Sequence, residues 1–273
     1  MLTKKERAIL HLLNNTNKIS KIKLVKLMFL MSEKVGFYNF VPYNYGPFSF
    51  ELYHDLSHLE REGYISMDEE SVSLINRNIP PLEKNSGFLI NEHFRKFLNY
   101  NDTQILDYTY SRHPEYTIFS HYDKRMRYSR DSTGIVTIGY EGKSIDSFLY
   151  ELILNKINTV LDVRKNAYSM KFGFMKSKLI NYMGKIGIEY LHMPDLGIPS
   201  DQRKNLDTYL DYKALFADYE KELDGKTTYL ERIKEIGNRK KIALMCFEKD
   251  AKYCHRGVIA ERLRKDGIEV CNL

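Results

Sequence analysis

The chain is expected to be an α/β protein: a mostly parallel sheet flanked by helices in its second half, preceded by a winged-helix-like α+β domain. Three observations predict this. From residue 135 onward, short runs rich in Ile, Val and Leu alternate with helical stretches, the pattern of a parallel sheet covered on both faces. Before residue 75, amphipathic helices precede two short strands joined by Asp68-Glu69-Glu70, which is the order of helices followed by a wing. Between these regions lie the breaker Pro80-Pro81 and a basic run ending at Arg130. The expected organisation is 1–75, a helical and basic connector over 76–134, and 135–273.

The first half reads as follows. Glu6 to Asn14 carries Ile9, Leu10, Leu12 and Leu13 as an apolar stripe. Ser20 is placed to cap a second helix in which Leu24, Leu27, Met28 and Met31 recur at helical spacing. Gly46-Pro47 stops the chain before a third helix, Phe50 to Glu62, which ends at Gly63. Tyr64 to Met67 and Val72 to Leu74 form the hairpin, and Asn91 to Tyr110 is expected to be helical.

In the second half, Ile135 to Ile138, Thr159 to Val163, Ile188 to His192, 242–246 and Ile268 to Cys271 are the strands. The helices between them are 145–155, capped by Ser144, then Lys176 to Ile186, about 212–223, about 227–237 and 255–266.

Composition narrows the class. The 273 residues are 43% hydrophobic and 13% aromatic, enough for packed cores and incompatible with a disordered chain. No apolar run approaches the roughly 18 residues of a membrane span. The amino terminus mixes charges and has no signal-peptide core, so a cytoplasmic protein is expected. Three irregularly spaced cysteines give no disulfide framework. The net charge of +6 is shared evenly by the two halves, which suits a nucleic-acid partner without requiring one.

Chemistry is concentrated at strand ends. Tyr140 and Glu141 follow the first strand of the second half, and Asp162 and Arg164 end the second. Asp195 follows the third, and the fourth runs into Cys246-Phe247-Glu248 and then Cys254-His255-Arg256. In a parallel sheet these ends share one edge, where ligands bind, so the four sets are expected to meet in one crevice. Glu248, Asp162 and Glu141 are the candidate catalytic carboxylates, able to activate water or to stabilise an oxocarbenium-like sugar. Arg164, Arg256 and the helix starting at His255 would take phosphate, while Tyr140, Tyr168 or Phe172 would stack on a base. Cys246 and Asp195 complete the expected substrate-binding set. Lys124, Arg125, Arg127 and Arg130 are a candidate phosphate-contacting strip, with a solvated linker as the plainer alternative. The cysteines contain no C-x-x-C pair, so no metal ligand set is assigned and no cofactor is expected.

The residues that carry this pattern also carry a resemblance. Thr137-Ile-Gly139-Tyr140-Glu141, Asp162-Val-Arg164, Leu196-Gly197 and Leu244-Met-Cys246-Phe-Glu248-Lys-Asp250, followed by Cys254-His255-Arg256, resemble the DUF488 family over 135–273. Asp195 stands where that family commonly has Glu, and Tyr140-Glu141 where it commonly has His-Ser. In the first half, Lys23-Leu-Val-Lys26-Leu27, Tyr45-Gly46-Pro47-Phe48-Ser49 and Leu52-Tyr-His-Asp55-Leu56 resemble the winged-helix-like YwgA and Panacea-type domains, whose members recognise DNA or protein partners.

The function expected is a nucleic-acid-directed enzyme, a hydrolase acting on a nucleotide or on a base of DNA in preference to RNA. DNA-glycosylase-like cleavage of the glycosidic bond is the favoured chemistry, with the first domain as the candidate surface for a protein partner. The alternatives are a non-catalytic DNA-binding regulator or defence-associated sensor with a nucleotide-binding α/β domain, and a rhodanese-like thiol enzyme using Cys246.

Overall fold

A computed structural model describes residues 2–204 and 206–273. The chain forms two compact units, Met1–Tyr128 and Ser129–Leu273.

The first unit begins with α1 (Lys4–Asn14), whose first turn is closed by a reciprocal capping box between Thr3 and Glu6. β1 (Lys18–Ser20) leads into α2 (Lys21–Val35), where Ser20 accepts from the Lys23 amide and Gly36 ends the helix at φ 64°. α2 is buried continuously from Leu24 to Ser32, so it is the central helix of this unit rather than a half-exposed one. The Gly46-Pro47 turn is part of a small hairpin, β2 (Val41–Tyr43) with β3 (Gly46–Phe48), and not an isolated turn. α3 (Phe50–Arg61), β4 (Ile65–Met67) and β5 (Ser71–Leu74) follow. β1, β5 and β4, in that order, make an antiparallel sheet.

The expected connector is not a separate segment. Its helical part is two helices, α4 (Lys84–Lys96) and α5 (Asp102–Arg112), divided by an Asn101 capping box. Ile90, Phe94, Phe97 and Ile105 join the same core as α1 and α2, which draws residues 76–128 into the first unit. The lysines of the K-x-x-K pattern are used internally. Buried Lys26 donates to the Pro47 carbonyl (2.9 Å), and Lys23 donates to Leu98 and Tyr100 carbonyls at 3.0 and 2.6 Å.

The second unit has the predicted alternation. Its elements are β6 (Gly134–Gly139), α6 (Ile145–Leu154), β7 (Thr159–Asp162), α7 (Lys176–Lys185) and β8 (Glu189–His192). They continue with α8 (Tyr209–Leu223), α9 (Thr227–Arg239), β9 (Lys241–Cys246), α10 (His255–Lys265) and β10 (Val270–Asn272). The sheet order is β10-β6-β9-β7-β8, and every pairing is parallel. Right-handed crossovers send the chain after β6 and β7 over one face, and after β8 and β9 over the other. In agreement, Tyr219, Leu230, Ile233, Ile259 and Leu263 from α8 to α10 share one core with Leu161, Ile242 and Leu244. Because β9 lies between β6 and β7, the loops after β6 and β9 diverge to opposite faces, which opens a crevice at their carboxyl ends. The register places Gly139 beside Cys246, and Asp162 beside both Met245 and His192.

Candidate functional site

A cleft of about 290 Å³ lies at this edge. Tyr140 lines it after β6, Arg164, Lys165 and Asn166 after β7, Ser200 and Arg203 after β8, and Cys246 and Glu248 after β9. The loops converge as expected, but they do not all present the expected side chains.

The β7 loop is braced by a buried ion pair. Arg164 donates through Nε and Nη2 to both oxygens of Asp162 (2.6–3.1 Å), and through Nη1 to the Tyr140 hydroxyl and the Phe174 carbonyl at 2.9 and 3.1 Å. Tyr190 adds a 2.6 Å hydrogen bond to Asp162 Oδ2. Burial opposes the Arg164 charge, yet the Asp162 carboxylate overrides it and holds the guanidinium well above its usual range. Burial first, then Asp162, pushes the Tyr190 phenol up. Asp162 is fully buried and does not line the cleft, whereas Arg164 lines it with its guanidinium engaged by Asp162, Tyr140 and Phe174. Tyr140 is likewise engaged, its ring stacked on Phe174 at 4.2 Å.

The other expected residues are distributed more widely. Arg256 is buried and donates to the Glu248 and Lys249 carbonyls, so it shapes the β9 loop rather than reaching phosphate. Glu141 is exposed and accepts from the Lys249 amide (2.8 Å). Asp195 accepts from the Tyr229 hydroxyl (2.6 Å), and Phe172 packs near Tyr182; neither lines the cleft. Within the basic strip, Arg125 is held by Asp107 and Asp123 in the first unit, and Arg130 donates to the Ile186 and Gly187 carbonyls in the second. Lys124 and Arg127 are exposed.

Glu248 is where the sequence places it, facing the cleft. Its carboxylate pairs with Arg203, a residue that carried no motif and sits in the short helical turn Ser200–Arg203. Burial, the largest influence, favours the neutral acid, but the Arg203 charge together with hydrogen bonds from Cys254, the backbone and Arg203 lowers the pKa of Glu248. Cys246 Sγ lies 3.6 Å from Glu248 Oε2 and 3.8 Å from His255 Nδ1. The other ring nitrogen, Nε2, is 2.8 Å from the Val163 carbonyl. A carbonyl only accepts, so Nε2 carries a proton and donates to it, and Nδ1 is the ring nitrogen turned toward the thiol. Cys254 completes the group, its thiol pushed up chiefly by burial and then by Cys246.

Two glycines let these loops close. A Cβ on Gly139 would overlap the Glu248 carbonyl oxygen, and one on Gly197 would overlap the Lys165 amide. Gly139→Ala is therefore expected to cost about 1–3 kcal/mol, as overpacking does, and to displace Glu248. Thermal denaturation and ligand affinity of the variant check this together; an unchanged affinity would show that the contact does not set the cleft.

The fold and cleft define a class: a two-unit protein whose second unit is a parallel α/β domain with an ionic cleft at its topological switch point. Residues 144–263 match the family described as Domain of unknown function DUF488, and the C-terminal domain belongs to that family. No curated protein and no solved structure matches the chain.

Proposed function

We propose that the C-terminal domain is a hydrolase acting on a nucleotide, or on a base of DNA turned out of its stack, by cleavage of the glycosidic bond. The observation that supports this most is Glu248, a carboxylate in a polar cleft with Arg203 behind it. Lys165 and the 63% exposed ring of Tyr168 stand at the rim, suited to phosphate and to stacking on a base. Asp162 is committed to Arg164, so Glu248 acts without a second catalytic carboxylate. In the reaction Glu248 takes a proton from water as the water oxygen bonds to the sugar C1′. The C1′–N bond breaks with its electron pair passing to the base nitrogen, which takes up a proton from solvent and leaves, while Glu248 returns its proton to solvent.

Glu248→Gln is expected to retain substrate binding within a few-fold and to lower turnover by roughly 10²–10⁴, the range for a lost general base. Single-turnover kinetics on nucleoside monophosphates and base-modified duplexes measure it. Binding without turnover by the wild type would instead favour a nucleotide sensor.

We read the first unit as a winged helix, because helices α1, α2 and α3 with the sheet β1-β5-β4 follow that order. Its wing tip carries Asp68, Glu69 and Glu70, which repel phosphate, so a protein partner suits it better than the DNA backbone. The Cys246–His255 contact favours a second reading, thiol chemistry, which would be lost in Cys246→Ser while surviving in Glu248→Gln.

A further inference from the structure

Cys246 ends β9, Cys254 immediately precedes α10, and His255 is its first residue; all three are 1–2% exposed. The loop between them folds back through a short helical turn, Ala251–Tyr253, which Asp250 caps. As a result one sulfur or nitrogen atom from each residue lies within 4.8 Å of the others. We infer that these side chains form a binding site for one zinc-like divalent cation per chain, with its fourth position turned toward the Glu248 cleft.

Four features support the site. Zinc bond lengths of about 2.3 Å to sulfur and about 2.0–2.1 Å to nitrogen put tetrahedral S and N ligands roughly 3.6 Å apart. The Cys246 Sγ to His255 Nδ1 distance is 3.8 Å, so little movement is needed. His255 already has the outer-shell partner of a metal-bound imidazole: Nε2 donates to Val163, which fixes the ring and leaves Nδ1 for the ion. The charges also balance, since two thiolates would neutralise a divalent ion while Glu248 and Arg203 neutralise each other. Finally, Cys246 and His255 both line the cleft, so the ion would not be sealed within the core. Two cysteines, one histidine and an open position form a donor set that suits zinc and not magnesium or calcium.

The site does not depend on the nucleotide reading. The test uses the full chain, stripped with chelator and titrated with Co²⁺ and Zn²⁺. One Co²⁺ per chain is expected, with thiolate-to-cobalt charge-transfer absorption and displacement by Zn²⁺. Cys254→Ser should weaken Zn²⁺ binding by more than the roughly 10–100-fold that loss of an outer-shell partner costs. Cys271→Ser, at an exposed cysteine remote in the motif, should leave binding unchanged. Alkylation of the wild type provides a second readout that is independent of how Cys254→Ser folds: Zn²⁺ should protect Cys246 and Cys254 and leave Cys271 reactive. Failure of the wild type to take up either ion, or alkylation of all three cysteines at equal rates with and without Zn²⁺, would overturn the site. Stoichiometric metal on a chain that cleaves no nucleotide would uphold it while refuting the hydrolase reading.

Discussion

Replacing Arg164 by Met is expected to destabilise the second unit by about 3–5 kcal/mol, the cost of leaving a buried charge without its partner. Asp162 is fully buried and receives most of its compensation from Arg164. With the guanidinium gone, Tyr190 and the Arg164 backbone amide still donate to it. The melting transition of this unit should fall by roughly 10 °C or more. The double variant Asp162→Asn with Arg164→Met should recover much of the loss, because an amide in place of the carboxylate removes the stranded charge. A double variant no better than Arg164→Met would mean that the guanidinium acts through packing, not charge. Since Arg164 also carries the Tyr140 hydroxyl and the Phe174 carbonyl, its loss should loosen the cleft wall.

The second large effect concerns Lys26. Burial lowers its pKa to about 7, with the Pro47 carbonyl as its hydrogen-bond partner. The folded-state value is thus depressed below the unfolded one near 10.5, so between about pH 7 and pH 10 the unfolded chain binds more protons. Stability of the first unit should therefore rise with pH across that window, by at most about 1.4 kcal/mol per unit. Above it, Tyr38 acts in the opposite direction, because burial and then Asp55 raise its pKa in the folded state. Lys26→Met removes the rise and should stabilise the unit most at pH 6, less the roughly 1 kcal/mol lost with the bond to Pro47. Denaturant midpoints at pH 6, 8 and 10 decide this: equal slopes in wild type and variant would show that Lys26 remains charged in the fold.

The alternation of strands and helices after residue 134 was legible because apolar period and turn glycines are local signals. So was the shared edge, since parallel strands must end together. The direction of the side chains was not legible. Asp162 and Arg164 are two residues apart at a strand end, a spacing equally suited to a ligand pair and to the inward ion pair that forms. Asp195 was aligned by sequence with the crevice, yet the turn Pro194–Leu196 aims it at Tyr229. Arg203 lies in a segment without periodicity, and only the fold back onto Glu248 reveals it. Cys254 is separated from Cys246 by seven residues, so spacing rules miss a proximity that one short helical turn creates. In the first unit, Pro80-Pro81 marks α4 and α5 as a connector in the sequence, but their apolar faces belong to the core of α1 and α2.

Product analysis tests most directly whether the Glu248 cleft breaks a glycosidic bond. The full chain is incubated with nucleoside monophosphates and base-modified duplexes at saturating occupancy, and released base is measured by mass spectrometry. Free base formed by the wild type, in equal amount to the base-free sugar product and absent with Glu248→Gln, is the predicted result. Substrates recovered intact from the saturated wild type, or equal base release by Glu248→Gln, would contradict it.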